Sequence, residues 1–282
     1  MAGSLSPQRP AVLEAAGVTV RRGRRDVLAG VALRLGAGTV VQLAGANGSG
    51  KTSLLRVLAG LTPPRTGSVR RAGAFAFVPE KVVLAPALGC AEWLSAMRGL
   101  RGLEQVDWAA AVAASGLEEE ILERPAAVLS KGMLQRLALL EAIHAGGALL
   151  LLDEPFSGLD PEGRAWLGDE LARRSSAGLA VLFTDHSGGA GGRLSLTEVL
   201  RLRDGACERE LAPAADDTQA AQVAVRASHP DGRSLDRVVP APASDDLLGE
   251  LLAAGWHVAE VRSVRGPTRP PGPGPHVSRG RA

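Results

Sequence analysis

The sequence, 282 residues long, predicts an α/β fold built on a largely parallel β-sheet, and two segments support this prediction. The first is a glycine-rich turn at residues 45–52, which lies between a short apolar run, residues 40–44, and a helix-like run, residues 53–58. The second is an unbroken apolar run at residues 148–152, which suits a strand buried on both faces. Doubly buried strands and strand–turn–helix order are both typical of α/β proteins with parallel sheets.

The glycine-rich turn reads Gly-Ala-Asn-Gly-Ser-Gly-Lys-Thr and matches the phosphate-binding pattern GxxxxGK[ST]. Glycines let backbone N–H groups approach phosphate oxygens closely, and the start of the following helix adds partial positive charge. Lys51 can reach the β- and γ-phosphates of a nucleotide, and the Thr52 hydroxyl can ligate Mg²⁺. The alternative is a chance glycine-rich turn, which the flanking strand and helix disfavour. The predicted nucleotide-binding residues are Gly45, Ala46, Asn47, Gly48, Ser49, Gly50, Lys51, Thr52 and Ser53.

Two carboxylates, Asp153 and Glu154, follow the apolar run at what would be the carboxyl end of a strand. Open α/β sheets place their ligand chemistry at this end. Asp153 is expected to hold Mg²⁺ through water, and Glu154 to orient and deprotonate an attacking water molecule. The alternative is a pair of surface carboxylates, and the phosphate loop in the same chain makes it the weaker interpretation.

Three further segments complete a pattern that resembles the nucleotide-binding subunit of an ABC transporter, of the bacterial exporter type. Residues 129–136 read Leu-Ser-Lys-Gly-Met-Leu-Gln-Arg and resemble the signature motif of that family. Residues 157–160 resemble its D-loop, and residues 183–186 resemble the strand end that bears its switch histidine. The resemblance extends over residues 12–210 and implies a P-loop NTPase fold with an antiparallel β-subdomain and a short α-helical subdomain.

The resemblance also implies an activity, the hydrolysis of ATP with Mg²⁺, and a set of roles. Lys51, Glu154 and His186 would be catalytic. Ser130 and Gly132 would begin a helix, residues 133–145, and bind the γ-phosphate on the opposite subunit, so that two chains enclose two ATP molecules. The alternative for Ser130 is an ordinary helix N-cap, which uses the same donors and hydroxyl. The alternative for His186 is an ordinary strand-end residue.

Several positions depart from the family pattern. Glu80 stands where the Q-loop glutamine is expected; it retains an oxygen for Mg²⁺ and would complete a metal site with Thr52 and Asp153. Lys131 and Met133 replace the usual glycine and glutamine of the signature. The aromatic residue that stacks on adenine in the family is expected near residues 20–22 and is missing, so that Arg22 is a candidate to stack by its guanidinium plane.

The motifs, together with length and composition, divide the chain into four predicted segments. There is room for one α/β domain of about 200 residues and a small appendage. The appendage is predicted to be α+β, with a helix at residues 245–254, and the tail is rich in Pro, Gly and Arg. The segments are an ABC ATPase domain at 11–210, a linker at 211–220, a small α+β unit at 221–265 and a disordered tail at 266–282.

Charge and hydropathy restrict the function further. The net charge of +2 is too small to indicate nucleic acid as a partner. The two cysteines have no metal-binding spacing, and the chain has no apolar stretch of membrane-spanning length and no signal-peptide core. We therefore expect a cytoplasmic ATPase, peripheral on the inner face of the cell membrane, that powers a separate permease chain and pairs with a second ATPase subunit.

Two other functional classes stay open. A soluble ABC-type ATPase for DNA repair or translation is disfavoured, because the chain lacks long heptad-bearing helices and carries only one copy of each motif. A nucleotide-binding regulator that does not hydrolyse ATP is disfavoured by the intact Lys51, Asp153, Glu154 and His186.

Overall fold

The computed structural model describes residues 10–23, 25–102, 106–185, 194–211, 222–240 and 244–264. The chain divides into two compact units, Met1–Ala212 and Pro213–Ala282. Apart from its first residue, the predicted linker lies outside the described residues, and so does the whole predicted tail.

The first unit combines strands and helices in alternation after an initial pair of long strands. Its strands are β1 (Ala11–Arg22), β2 (Arg25–Gly36), β3 (Val40–Ala44), β4 (Thr66–Arg71), β5 (Phe75–Val78), β6 (Leu149–Leu152), β7 (Ala180–Thr184), β8 (Glu198–Arg203) and β9 (Ala206–Leu211). Its α-helices are α1 (Lys51–Leu58), α2 (Cys90–Arg101), α3 (Trp108–Ala114), α4 (Lys131–Ile143) and α5 (Pro161–Ser176). Short 3₁₀ helices occupy Glu119–Glu123 and Ala126–Val128.

Two sheets form the framework of this unit. The larger has six strands in the order β5-β6-β7-β3-β8-β9, and all neighbours in it are parallel except β8 and β9. The smaller is antiparallel, with the order β2-β1-β4. The predicted α/β core with an antiparallel β-subdomain is thereby confirmed. Because β3, β5, β6 and β7 run in parallel, their carboxyl ends meet at one edge of the larger sheet.

Strand β6 explains why the apolar run at residues 148–152 is unbroken. Leu149 and Leu151 pack into the core between the two sheets, which also contains α1, whereas Leu150 and Leu152 pack against α4 and α5 on the other face. Each of the four side chains is 2% exposed or less. Neither face meets water, so neither face selects polar residues.

The predicted α-helical subdomain consists of α2, α3, the two 3₁₀ helices and α4, joined by a small core of their own. Helix α4 begins two residues earlier than the sequence indicates, at Lys131, because the Ser130 hydroxyl accepts a hydrogen bond from the Met133 N–H and caps it. It ends at Ile143. No helix in the described part of the chain is long and apolar enough to span a bilayer.

The second unit is a three-stranded antiparallel sheet with one helix. Its elements are β10 (Gln222–Ser228), β11 (Ser234–Pro240), α6 (Ser244–Ala253) and β12 (His257–Val264), and its strand order is β11-β10-β12. Val225 and Ala227 of β10 pack with Leu251 of α6 in its core. Sequence reasoning did not predict β11. Among the described residues it contributes Leu235 to this core, and its other face carries an Arg226–Asp236 ion pair.

Candidate functional site

The glycine-rich turn connects β3 to α1, and Lys51 is the first residue of that helix. The Lys51 ammonium donates hydrogen bonds to the carbonyl oxygens of Gly45, at 2.7 Å, and Ala46, at 3.2 Å. Burial lowers the pKa of Lys51, and the carboxylates of Glu154 and Asp153 oppose this shift. The ammonium, the turn and both carboxylates therefore lie within electrostatic reach of one another.

Gly45 fixes where the turn sits. Its φ angle is +154°, and a Cβ built on it would lie 2.8 Å from the carbonyl oxygen of Leu202 in β8. The turn therefore rests directly on the neighbouring strand, and a side chain at this position would displace it. Beneath the turn, the Ser49 hydroxyl is buried without a hydrogen-bond partner among the described residues. A buried polar atom left unsatisfied in a glycine-rich turn fits the loop's role in binding an anion.

The two carboxylates follow β6 directly, with Asp153 2% and Glu154 9% exposed. Glu154 has a φ angle of +52°, which is rare for a residue with a side chain. This backbone conformation costs roughly 1–3 kcal/mol and is typical of functional sites. The strain turns the Glu154 backbone sharply at the edge where the strands end.

Thr184 holds both carboxylate residues in place, and sequence reasoning missed it. Its hydroxyl accepts a hydrogen bond from the Glu154 N–H at 2.8 Å and donates one to Asp153 Oδ1 at 2.8 Å. The side chain is completely buried at the end of β7. The hydroxyl residue at the end of the run at residues 180–184 is visible in the sequence, but only the pairing of β7 with β6 places it beside the carboxylates.

Glu80 lies at the same sheet edge. Strand β5 is in register with β6 through Val78 and Leu152, and the Asp153 N–H donates to the Val78 carbonyl oxygen at 2.9 Å. Glu80 follows β5 by two residues and is exposed. It lines a cavity of about 370 Å³ whose other lining residues are Lys81, Val82, Val83, Lys131 and Gln135.

The signature segment is packed tightly onto the D-loop, residues 157–160. A Cβ built on Gly132 would lie 2.6 Å from the carbonyl oxygen of Gly158. This close approach admits only glycine at position 132. Ser130, which caps α4, is exposed immediately before it. The capping interpretation of Ser130 is thus correct, and capping leaves open its predicted second role in phosphate binding.

Arg136 connects the signature helix to its surroundings, and this residue was not among the predicted site residues. Its side chain is 5% exposed, and it donates hydrogen bonds to the carbonyl oxygens of Ser115, at 3.1 Å, and Gly116, at 3.3 Å. It also forms an ion pair with Asp160, whose carboxylate caps α5 through the Gly163 N–H at 2.8 Å. The segment after α3, helix α4 and the D-loop are therefore coupled through one guanidinium group.

The structure does not place two of the predicted residues at the site. His186 lies outside the described residues, which stop at Asp185 after β7. Arg22 is not among the residues that line the cavity beside the phosphate loop, which measures about 680 Å³ and is bounded by residues 25–27, 45–49 and 201–205.

Comparisons with known proteins agree with this geometry. The chain matches the ABC transporter family over residues 28–157, which include the phosphate loop, the signature segment and both carboxylates. It is 36% identical to the cytochrome c biogenesis ATP-binding export protein CcmA of Novosphingobium aromaticivorans, over 62% of this chain and 88% of the relative. It is 39% identical to CcmA of Bordetella bronchiseptica, over 68% of this chain and 90% of that relative. The zinc import ATP-binding protein ZnuC of Alkalilimnicola ehrlichii is also 39% identical, over 66% of this chain and 72% of that relative.

Solved structures agree on the fold. The ATP-binding subunit of an ABC transporter superposes with a TM-score of 0.67 and 26% identity, over 74% of this chain and 92% of that chain. A dimeric ATP-binding cassette in a post-hydrolysis state, bound to ADP and Pi, superposes with a TM-score of 0.64 and 20% identity. The match covers 72% of this chain and 99% of that chain. The chain therefore belongs to the family of ABC transporter ATP-binding subunits, which bind and hydrolyse ATP.

Proposed function

We propose that this chain hydrolyses ATP with Mg²⁺ and powers a separate membrane-spanning permease, in the direction of export, from the inner face of the cell membrane. The observation that supports the chemistry most strongly is the meeting of Lys51, the Asp153–Glu154 pair and Thr184 at one sheet edge. The names of the export relatives and the short helical subdomain support export.

The residues present suit a magnesium–triphosphate ligand. When bound, Mg²⁺ neutralises charge on the β- and γ-phosphate oxygens. Thr52, exposed in the first turn of α1, and Asp153 would hold the ion through oxygen atoms, the donors it prefers. Lys51 supplies positive charge to the same phosphates. Glu154 accepts a proton from the attacking water, and we expect His186 to contact the γ-phosphate.

A complete site requires a second chain. The described residues that line the cavity beside the phosphate loop are 25–27, 45–49 and 201–205, and none of them belongs to the signature segment. In a head-to-tail dimer, the Ser130–Gly132 segment of each chain would face the nucleotide of the other.

The coupling to a permease is tested in cells. The tagged chain should sediment with membranes and should be released from them when the gene of its permease is deleted. Restoring that gene should return the chain to the membranes. A chain that stays in the supernatant in both strains would support the alternative, a soluble ABC-type ATPase.

Thr184→Val should reduce ATP turnover about tenfold to a hundredfold, as the loss of a group that orients metal-site residues commonly does. The substitution keeps the shape of the side chain but leaves the buried Glu154 N–H without its acceptor and Asp153 without a donor. Unfolding should also become easier by about 1–3 kcal/mol. Phosphate release across a Mg²⁺ titration and thermal unfolding measure the two effects. Thr184→Ser, which restores the hydroxyl, should recover activity; a Ser variant as slow as Val would contradict the positioning role.

Glu80→Gln should leave ATP binding intact and raise permease-coupled turnover, because it restores the residue usual in the family and keeps one oxygen for the metal. Glu80→Ala should instead raise the Mg²⁺ concentration needed for half-maximal hydrolysis roughly tenfold. Both are measured by phosphate release in a Mg²⁺ titration. An identical Mg²⁺ dependence in the Ala variant and the parent protein would exclude Glu80 from the metal site.

A further inference from the structure

The cavity of about 370 Å³ that contains Glu80 lies between two parts of the chain. One wall is the segment after β5, residues 80–83, and the other is the start of the signature helix α4, with Lys131 and Gln135. Because residues four apart on a helix are neighbours on its surface, Lys131 and Gln135 lie on the same face of α4. The cavity therefore sets one face of the signature helix opposite Glu80.

The Gln135 amide is a buried donor without an acceptor. The residue is 3% exposed, and its Nε2 has no hydrogen-bond partner among the described residues. A buried donor that stays unpaired is costly, and folded proteins almost always supply an acceptor for it. Among the described residues that line this cavity, Glu80 is the one with a carboxylate. The carboxylate of Glu80 is therefore the acceptor that the Gln135 amide lacks.

Lys131 is the first residue of α4, where a positive charge is unfavourable. The start of a helix already carries partial positive charge, and the first turn of α4 has no acidic residue to offset it. Lys131 and Glu80 are both exposed, and neither forms an ion pair with another described residue. An anion at this place would be attracted by the ammonium and by the helix together, and the Glu80 carboxylate lines the same cavity.

The backbone on both sides of Glu80 is held by the core, whereas its side chain is exposed. Val78, at the end of β5, and Val82 both pack into the core cluster that also contains Leu139 and Ala142 of α4. Between them, Glu80 is exposed. Rotamer changes of exposed side chains are fast, so the Glu80 carboxylate can exchange partners without a rearrangement of the core.

We propose that Lys131 and Gln135 bind the Glu80 carboxylate in the nucleotide-free chain, and that Lys131 thereby sets how much Mg²⁺ the ATPase requires. Glu80 and Lys131 are both departures from the family pattern, and their opposite charges compensate each other. Lys131 is thus a positioning residue that acts through Glu80. The inference rests on the proposed function in one respect, the role of Glu80 in the metal site.

The first test needs no ATP hydrolysis. A carbodiimide joins a lysine amine to a carboxylate where the two are in contact, and this chain has only three lysines. In the nucleotide-free full-length chain, peptide mass spectrometry should detect a Lys131–Glu80 cross-link. Mg²⁺ with the β,γ-imido analogue of ATP should lower its yield severalfold, because the two interactions compete for one carboxylate. Absence of the cross-link without nucleotide, or an unchanged yield with the analogue, would overturn the inference.

Two variants calibrate the cross-link. Gln135→Met removes the donor but keeps a side chain of similar length, so the yield should fall at least about twofold, as the loss of a hydrogen bond to a charged group predicts. Lys81→Met is the matched control, since Lys81 lines the same cavity from the segment that bears Glu80, and it should leave the yield unchanged. An unchanged yield in Gln135→Met would exclude the amide from the contact and overturn that part of the inference.

The second test measures the Mg²⁺ requirement. Lys131→Met should lower the Mg²⁺ concentration for half-maximal hydrolysis about twofold to fivefold, the range expected for an exposed ion pair. Lys131→Arg, which keeps the charge, should retain the parental requirement. In a Glu80→Ala background, Lys131→Met should cause no further change, because no carboxylate is left for Lys131 to hold. A shift of equal size in both backgrounds would show that Lys131 acts through another group and would overturn the inference.

The two tests separate this inference from the proposed function. A chain that hydrolyses ATP but gives no Lys131–Glu80 cross-link would overturn the inference and leave the proposed function intact. A chain that gives the cross-link but does not hydrolyse ATP would overturn the proposed function and, with it, the claim that Lys131 sets the Mg²⁺ requirement.

Discussion

Glu154→Gln should lower steady-state ATP hydrolysis by at least about a hundredfold, because the amide cannot accept the proton of the attacking water. The backbone at this position has a φ angle of +52° in the parent protein. Its N–H donates a hydrogen bond to the Thr184 hydroxyl, and glutamine can keep both this hydrogen bond and the backbone angle. ATP binding should therefore remain at the parental level, and ATP-bound dimers should accumulate. Phosphate release, equilibrium binding of ATP and size-exclusion chromatography with ATP measure these three quantities.

The control for this substitution is Glu120→Gln, a change of the same chemistry at an exposed position far along the chain from the carboxylate pair. It should retain parental turnover. A Glu154→Gln variant with more than about a tenth of parental turnover would show that another group serves as the general base.

Mixing two inactive variants should restore part of the activity if each site is built from two chains. Lys51→Ala removes the phosphate contact of one face, and Ser130→Asp places a negative charge where the signature segment should meet the γ-phosphate of the partner. In a mixed dimer one composite site carries both lesions and the other carries none. Equal amounts of the two chains should recover up to about a quarter of parental turnover, since half of the dimers are mixed and each has one intact site.

The structure determines the choice of signature variant. A side chain at Gly132 would collide with the Gly158 carbonyl oxygen and disturb the D-loop whatever its charge. Aspartate at position 130 still caps α4, and so does asparagine. Ser130→Asn is therefore the matched control: it preserves the cap without adding charge, so it should lose less activity than Ser130→Asp does. Failure to recover activity at any mixing ratio, in chains shown to exchange, would contradict shared sites.

Local sequence was sufficient for the phosphate loop and the carboxylate pair. The loop at residues 45–52 is defined by spacing within one turn and by the elements directly before and after it. The run at residues 148–152 is apolar throughout because both faces of β6 are buried, which is a property visible in consecutive letters. Both features belong to the family match over residues 28–157.

Tertiary structure decided the parts of the site that join distant segments. Thr184 is 31 residues from the Asp153 carboxylate to which it donates, and Arg136 is 24 residues from Asp160. Neither pairing has a periodicity or a spacing that a single sequence reveals, because the contact arises only when two elements come to lie side by side. The same holds for the cavity beside the phosphate loop, in which residues 201–205 join residues 25–27 and 45–49 from the start of the chain. The sequence by itself thus determined which chemistry the chain carries, and only the packing of its strands and helices decided which further side chains hold that chemistry in position.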